Sequence, residues 1–262
     1  MKYLILFIAL NSIFVSCSDD SVSAANQTSS SRFVPSLGTK VFFDYYKTYD
    51  TISVNNELIG QGGYYCVDKI EEIDSKSALV CNFYTPFGQI FNTEMFSFDS
   101  LENSVFMHSS FISTVAESIC NTIGVDSLPI KLDRKWFKLA DYTRNEWVIS
   151  EHSFTDFPLF SGFISGNCVI NAKKGNIDSL FLNNKVYKTT TFVLEAKIDG
   201  VLYDSSNFVS NEPISMTMSN EIVLADGIGK IKNTMSPIKA SLYYYQGIIP
   251  GSLMIPTGLN TK

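Results

Sequence analysis

The sequence predicts a mainly β protein of the α+β class, built as a curved antiparallel sheet or a partly open barrel with one packed amphipathic helix. Two patterns predict the sheet: apolar residues alternate with polar ones along many segments, and short turn motifs separate those segments. A third pattern, apolar residues spaced by three and four positions, occurs in residues 109–123 and predicts the helix. Strands joined by short turns pair antiparallel, so a doubly wound parallel sheet is not expected.

The alternation is clearest in residues 186–198, where Phe192, Leu194, Ala196 and Ile198 fall on one face of a strand. Similar aromatic or β-branched runs predict further strands at about 40–49, 63–70, 78–84, 146–150, 162–170, 177–182, 201–209, 214–225, 228–234 and 239–246. Hairpin turns are predicted at four dipeptides that tolerate positive φ, namely Asn55–Asn56, Asn183–Asn184, Asp199–Gly200 and Asp226–Gly227.

The predicted helix has one apolar face, which carries Phe111, Val115 and Ile119 among others. A serine, Ser109 or Ser110, can cap its first turn, and Gly124 can end it. We expect this helix to pack against the concave side of the sheet.

The composition excludes several classes of protein. Of the 262 residues, 45% are hydrophobic and 18% are charged, which excludes a disordered or fibrous chain. The formal net charge of −6 argues against nucleic-acid binding, which needs a basic surface. Arg32, Arg134 and Arg144 are the chain's three arginines, so clustered phosphate-binding residues are not expected either.

The N-terminus has the order of a secretory signal. Lys2 precedes an apolar run from Tyr3 to Val15, which is shorter than the roughly 20 residues that span a membrane. The run ends in Phe14-Val15-Ser16-Cys17, which resembles the lipobox of bacterial lipoproteins. That resemblance implies cleavage before Cys17 and acylation of its thiol; the alternative is an ordinary signal peptide cleaved later.

These features divide the chain into a signal peptide (residues 1–16), a tether (17–36) and a single β-rich domain (37–262). The tether is rich in Ser, Ala, Asn and Thr, and such a segment is expected to be flexible. Serine after Cys17 resembles the sorting signal for the outer membrane, and Ser18-Asp19-Asp20 resembles the export signal of Bacteroidetes surface lipoproteins. We therefore expect a lipid-anchored outer-membrane protein, exposed either to the periplasm or at the cell surface.

A second resemblance concerns the C-terminal third. The segment from Asp226 to Lys232, which reads DGIGKIK after the predicted strand Glu221–Ala225, resembles the "GVG.VK" hairpin of a group of uncharacterised bacterial envelope lipoproteins. The resemblance implies a secreted antiparallel, partly open barrel and no particular activity. The same residues do not form a phosphate-binding loop, because the spacing between the glycines is wrong and a strand follows.

No motif for catalysis or metal binding stands out. His108 and His152 are the chain's two histidines, and His108 lies beside serines at the predicted helix start. Glu151, His152 and Asp156 form the one local cluster of metal-ligand types, and a solvated loop accounts for them. We expect neither a cofactor nor a metal, and no catalytic residue is assigned.

Aromatic residues are abundant, and Trp136 and Trp147 lie between the predicted helix and the later strands. A concave sheet lined by aromatics can enclose an apolar ligand, so these two residues can line the mouth of a cavity. The alternative is that they fill the core.

Four cysteines follow Cys17, namely Cys66, Cys81, Cys120 and Cys168. A turn at residues 74–77 would place Cys66 opposite about residue 85, too far from Cys81 for a disulfide. Buried thiols are therefore expected.

These observations favour a non-enzymatic, lipid-anchored envelope module that binds an apolar ligand or an envelope partner. Two alternatives stay open: an envelope hydrolase that uses paired carboxylates, which need to face each other within about 5–10 Å, and a structural or adhesive surface module.

Overall fold

The computed structural model describes residues 34–49, 56–159, 162–204, 212–242 and 245–261, so the predicted signal peptide, Cys17 and most of the predicted tether lie outside the described residues. The described part contains a helix, α1 (Ser110–Ile123), and fourteen strands. The strands are β1 (Lys40–Thr48), β2 (Asn56–Ile73), β3 (Lys76–Tyr84), β4 (Ile90–Asp99), β5 (Ser104–His108), β6 (Trp136–Asp141), β7 (Glu146–Leu159), β8 (Gly162–Leu182), β9 (Lys185–Asp204), β10 (Glu212–Ala225), β11 (Gly229–Met235), β12 (Ile238–Leu242), β13 (Tyr245–Ile249) and β14 (Gly251–Asn260). Within these ranges, no helix has the length and apolar content needed to cross a membrane.

Twelve strands form one antiparallel sheet that is nearly closed into a barrel with a single seam. Their order is β6-β5-β4-β3-β2-β1-β14-β11-β10-β9-β8-β7, while β12 and β13 extend from β10. The seam lies between the two ends of this order, β6 and β7. The predicted fold class is confirmed.

The alternation predicted for β9 is also confirmed, since Phe192, Leu194 and Ile198 are buried in the core. Asn183 and Asn184 form the predicted tight turn, with φ of 49° and 60°, and Asp226–Gly227 joins β10 to β11. Asn55 lies outside the described residues, and Asn56 begins β2.

The predicted turn at Asp199–Gly200 is wrong, because β9 continues through both residues. Gly200 lies opposite Gly166 of β8, and a Cβ on Gly200 would come 2.7 Å from the carbonyl oxygen of Ser165. Glycine is needed here for close backbone approach and not for a turn.

Four strands were not predicted, namely β4, β5, β6 and β14. Two of these have an identifiable reason. β5 has only five residues, and β14 contains Pro256 and Gly258, which weaken the strand signal.

Helix α1 begins and ends where the spacing predicted. Gly124 ends it in the left-handed conformation with φ of 74°. Ser109 makes no side-chain capping bond, so that part of the prediction is wrong. Phe111 and Val115 line cavities together with strands from both halves of the curled sheet. This places α1 on the concave face.

The four cysteines of the described domain are buried and form no disulfide, as expected. The register behind that expectation is wrong, because the β2–β3 turn contains only Asp74 and Ser75 and a bulge follows Val67. Cys81 consequently lies opposite Val67 and faces the core, whereas the thiol of Cys66 contacts Asp68 on the other face. The two thiols lie on opposite faces of the sheet.

Candidate functional site

The seam of the barrel is held by side chains that bond to backbone oxygens. The indole N–H of Trp147 on β7 donates to the carbonyl of Lys138 on β6 at 2.8 Å. The Lys174 ammonium donates to the carbonyl of Tyr142 at 3.1 Å, and the Ser150 hydroxyl donates to that of Lys131 at 2.8 Å. At the seam, side-chain hydrogen bonds therefore replace the backbone ladder that joins neighbouring strands elsewhere in the sheet.

An open groove of about 510 Å³ follows this seam. That volume is within the roughly 300–1,000 Å³ of small-molecule sites. The groove is lined by both polar and apolar side chains: Glu102, Phe106, Leu132, Asp133, Arg134, Trp136, Phe137, Lys138, Arg144, Trp147, Val148 and Ile149. We refer to it as the seam groove.

Trp136 and Trp147 both line the seam groove. They are 6% and 9% exposed, so only a small part of each indole reaches the groove. The indole N–H of Trp136 donates to the carbonyl of Ile73 at 3.2 Å, and its ring meets His108 edge-on at 5.2 Å. The fold brings the two predicted residues together and fixes both rings; their role as ligand contacts stays a prediction.

Charged groups surround these aromatic edges. The Lys138 ammonium contacts the carboxylates of Glu102 at 2.8 Å and Asp141 at 3.2 Å. Burial opposes ionisation of Asp141, but hydrogen bonds from Thr143 and Lys138 outweigh it and lower its pKa. The Arg144 side chain is 68% exposed, and its Nε lies 3.8 Å from Asp141 Oδ2.

Arg134 is also exposed and lines the same groove. Two of the chain's three arginines therefore lie at one site, although they are ten positions apart in sequence. Arg134 lies just before β6 and Arg144 just after it, and sequence reasoning missed the pairing because no motif marks these two positions.

The two carboxylates that contact Lys138 do not form a pair suited to glycoside hydrolysis. Glu102 and Asp141 share the ammonium of Lys138. Asp141 also accepts bonds from the backbone and hydroxyl of Thr143 at 2.9 and 2.6 Å, so it holds the following turn. A general acid needs a raised pKa, and the pKa of Asp141 is lowered.

A second, smaller cavity of about 180 Å³ lies between α1 and the sheet. Glu94 of β4 and Lys230 of β11 meet inside it, with the Lys230 ammonium 2.6 Å from one carboxylate oxygen and bonded to the other. Both side chains are 3% exposed, and the ammonium lies 4.7 Å from the ring centre of Phe83. The Oδ1 atoms of Asn220 and Asn233 line this cavity and have no hydrogen-bond partner within the described structure.

His108 lies between Ser110 and Asp74. Its Nδ1 is 2.9 Å from the Ser110 hydroxyl, its Nε2 is 3.2 Å from Asp74, and Asp74 also pairs with Lys135 at 2.8 Å. The arrangement of these three side chains resembles a Ser-His-Asp triad. However, His108 and Ser110 line neither the seam groove nor the cavity between α1 and the sheet. The contacts join the β2–β3 turn to β5 and to the start of α1.

Metal ligation finds no support in the described residues, where no three His, Cys, Asp or Glu side chains converge. His152 lies on β7 with its Nε2 3.0 Å from the carbonyl oxygen of Pro129. The expected solvated loop around His152 is therefore wrong, because β7 extends from Glu146 to Leu159.

No family model matches this chain, and comparison with curated proteins gives no significant match. Among solved structures, the chain is similar to a candidate lipoprotein from Parabacteroides distasonis, with a TM-score of 0.39 and 11% identity over 88% of this chain and 98% of that one. It is also similar to a candidate exported protein with a YmcC-like fold from Bacteroides fragilis, with a TM-score of 0.35 and 11% identity over 88% of this chain and all of that one.

Proposed function

We propose that this chain is a lipid-anchored protein of the bacterial outer membrane whose seam groove binds an envelope ligand without converting it. The observation that carries the proposal is the groove itself, where both tryptophans of the chain meet two of its three arginines. Neither residue type is abundant in this sequence, so their convergence at one open site favours a binding role over a purely structural one.

The lining indicates the chemistry of the ligand. Edges of Trp136, Trp147 and Phe106 offer apolar contact to a flat ring or a hydrocarbon segment. The guanidinium groups of Arg134 and Arg144 can bind a carboxylate, phosphate or sulfonate through paired N–H donors. A ligand with an apolar body and one acidic group therefore fits the site best.

The anchor is proposed from the sequence alone. Acylation of Cys17 would hold the protein at a membrane, because each buried methylene contributes about 0.8 kcal/mol and several acyl chains act together. The Phe14–Cys17 motif supports this, and Ser18 supports the outer membrane as the destination.

Binding at the seam groove can be tested with 8-anilinonaphthalene-1-sulfonate, which combines an apolar ring system with an anionic group. We expect its fluorescence to rise on binding to the purified protein, and the R134A/R144A variant to bind several times more weakly because both guanidinium groups are lost. The K69A/K197A variant removes two exposed lysines outside the groove and is the matched control. Equal binding by all three proteins would contradict the proposal. Native mass spectrometry of the protein purified from its host would show which ligand, if any, it carries.

The anchor is tested by Cys17→Ser. We expect the substitution to abolish incorporation of a labelled fatty acid and to reduce retention in the membrane fraction, because the acyl acceptor is lost. Cys168→Ser, at a fully buried thiol, is the control and should leave both unchanged. Labelling of the Cys17→Ser chain at the normal level would overturn the anchor.

A further inference from the structure

The tip of the β8–β9 hairpin closes one end of the barrel. The Asn183 side-chain amide donates to the carbonyl of Leu259 on β14, although β10, β11 and β9 itself separate β8 from β14 within the sheet. Leu180, Leu182 and Tyr187 on one face of the tip pack against the main core. The hairpin therefore folds across the mouth of the barrel with this face inward.

The opposite face of the tip points into solvent and is apolar. Phe181 pairs with Val186 across the two strands, and Ile177 lies on the same face. These side chains are 67%, 69% and 58% exposed, respectively. Such large exposed fractions on three neighbouring apolar residues are typical of a surface that contacts an apolar phase or a partner.

Lysines flank this apolar face. Lys188 lies beside Phe181 and Val186, opposite Ser179, and Lys185 follows the turn; both are exposed. Apolar side chains bordered by lysines are typical of surfaces that lie at the interface of an anionic bilayer, where the ammonium groups remain at the lipid headgroups. The protein as a whole is acidic, with a net charge of −6, so this basic border departs from its average surface.

The tip also lies where the chain enters the domain. Leu259, which Asn183 contacts, pairs with Val41 near the start of β1. Val34, the first described residue, follows Cys17 by seventeen positions. Seventeen residues of any conformation reach at most about 60 Å, which limits how far this end of the barrel can lie from an anchor at Cys17.

We propose that the outward face of the β8–β9 tip, formed by Ile177, Phe181, Val186 and Lys188 and bordered at the turn by Lys185, rests on the lipid bilayer. The occupant is the anionic headgroup region, with the three apolar side chains inserted below it. The inference rests on the proposed acylation of Cys17, and it fixes the orientation of the barrel, with the β8–β9 tip toward the membrane.

The experiment uses the full acylated chain, purified and reconstituted in vesicles of phosphatidylethanolamine and phosphatidylglycerol. Benzoylphenylalanine, a photoreactive analogue of phenylalanine, replaces Phe181 in one variant and Phe163 in the control. Phe163 is also an exposed aromatic residue of β8, but it lies on the order of 50–60 Å from Phe181 along the strand. After irradiation, mass spectrometry measures phospholipid adducts at each position, and the acyl group on Cys17 is measured in the same sample.

We expect phospholipid adducts at position 181 to exceed those at position 163 several-fold. The K185E/K188E substitution should lower the adduct yield at position 181, because it replaces attraction to phosphatidylglycerol with repulsion. If the chain is acylated but lipid adducts are equal at both positions, or absent, the proposed docking surface is wrong and the anchor is unaffected. Adducts to protein alone would have the same meaning. A chain without the acyl group would overturn the anchor, and with it the orientation proposed here.

Discussion

The Glu94–Lys230 pair shows how closely the curled sheet brings residues of distant strands together. Within the sheet, β3, β2, β1 and β14 separate the two strands, a path of about 24 Å at roughly 4.8 Å per strand. The charged groups nevertheless touch, because the sheet curls until its inner faces meet. A buried pair of this kind contributes little net stability when intact, but the loss of one partner leaves a charge in the core.

We expect Lys230→Met to lower the free energy of unfolding by about 3–5 kcal/mol, because Glu94 then stays buried without its cation. The double variant E94L/K230M should recover most of that loss, since it leaves no unpaired charge. Urea unfolding of the three proteins measures both effects.

The exposed pair Lys69–Glu71, with its atoms 2.7 Å apart, is the matched control. Lys69→Met should cost less than about 1 kcal/mol, because solvent screens an exposed pair. If Lys230→Met lowers the free energy of unfolding as little as Lys69→Met does, water replaces the lost cation in the cavity and the prediction is wrong.

Residue types alone could not identify the candidate site. Trp136 and Trp147 border the seam groove but are almost fully buried, and their role as ligand-lining residues stays a prediction. No motif linked them to Arg134 and Arg144, although all four residues lie within positions 134–147. Glu94 and Lys230, in contrast, lie on strands that only the curling of the sheet brings together.

Among the elements, the long β8–β9 hairpin shows both the strength and the limit of sequence patterns. Alternation and Asn183–Asn184 correctly predicted its strands and its turn. Asp199–Gly200 has the composition of a turn as well, yet it lies inside β9. A glycine that permits positive φ and a glycine that permits close strand contact look the same in a sequence, and the partner strand decides between them.

We expect Gly166→Ala to weaken this hairpin by about 1–3 kcal/mol, because the added Cβ would lie 2.1 Å from the carbonyl oxygen of Asp199 and the backbone would have to move. Thermal unfolding provides the measurement. Gly227→Ala, at a turn where a Cβ would meet no atom within 4 Å, separates this steric cost from the cost of a positive φ alone. An unchanged midpoint for Gly166→Ala would mean that the strands are farther apart than the structure shows.

At the scale of the whole molecule, the described domain is held by its hydrophobic cores and its sheet, without disulfides. Burial raises the pKa of the Cys81 thiol well above its usual range and that of Cys168 to about 11. Thiols with such pKa values stay protonated at neutral pH and react slowly.

We therefore expect dithiothreitol to leave the unfolding midpoint unchanged. Iodoacetamide should modify the thiols of Cys66, Cys81, Cys120 and Cys168 slowly in the native protein and readily in urea, because all four are buried and unfolding exposes them. Unfolding also lowers the raised pKa values of Cys81, Cys120 and Cys168. A midpoint that falls on reduction would show that a disulfide forms in the envelope.

The sequence by itself determined the fold class, the position of α1 and the turns at Asn183–Asn184 and Asp226–Gly227. It could do so because periodicity and turn chemistry act between residues close together in the chain. The tertiary structure alone decided the strand order, the seam, the groove that gathers Trp136, Trp147 and two arginines, and the apolar cap over one barrel end. The strand order and the cap depend on contacts between residues far apart in the chain, which form only when the sheet twists and curls. The seam and its groove exist because the two edges of the curled sheet, β6 and β7, meet without a strand ladder between them.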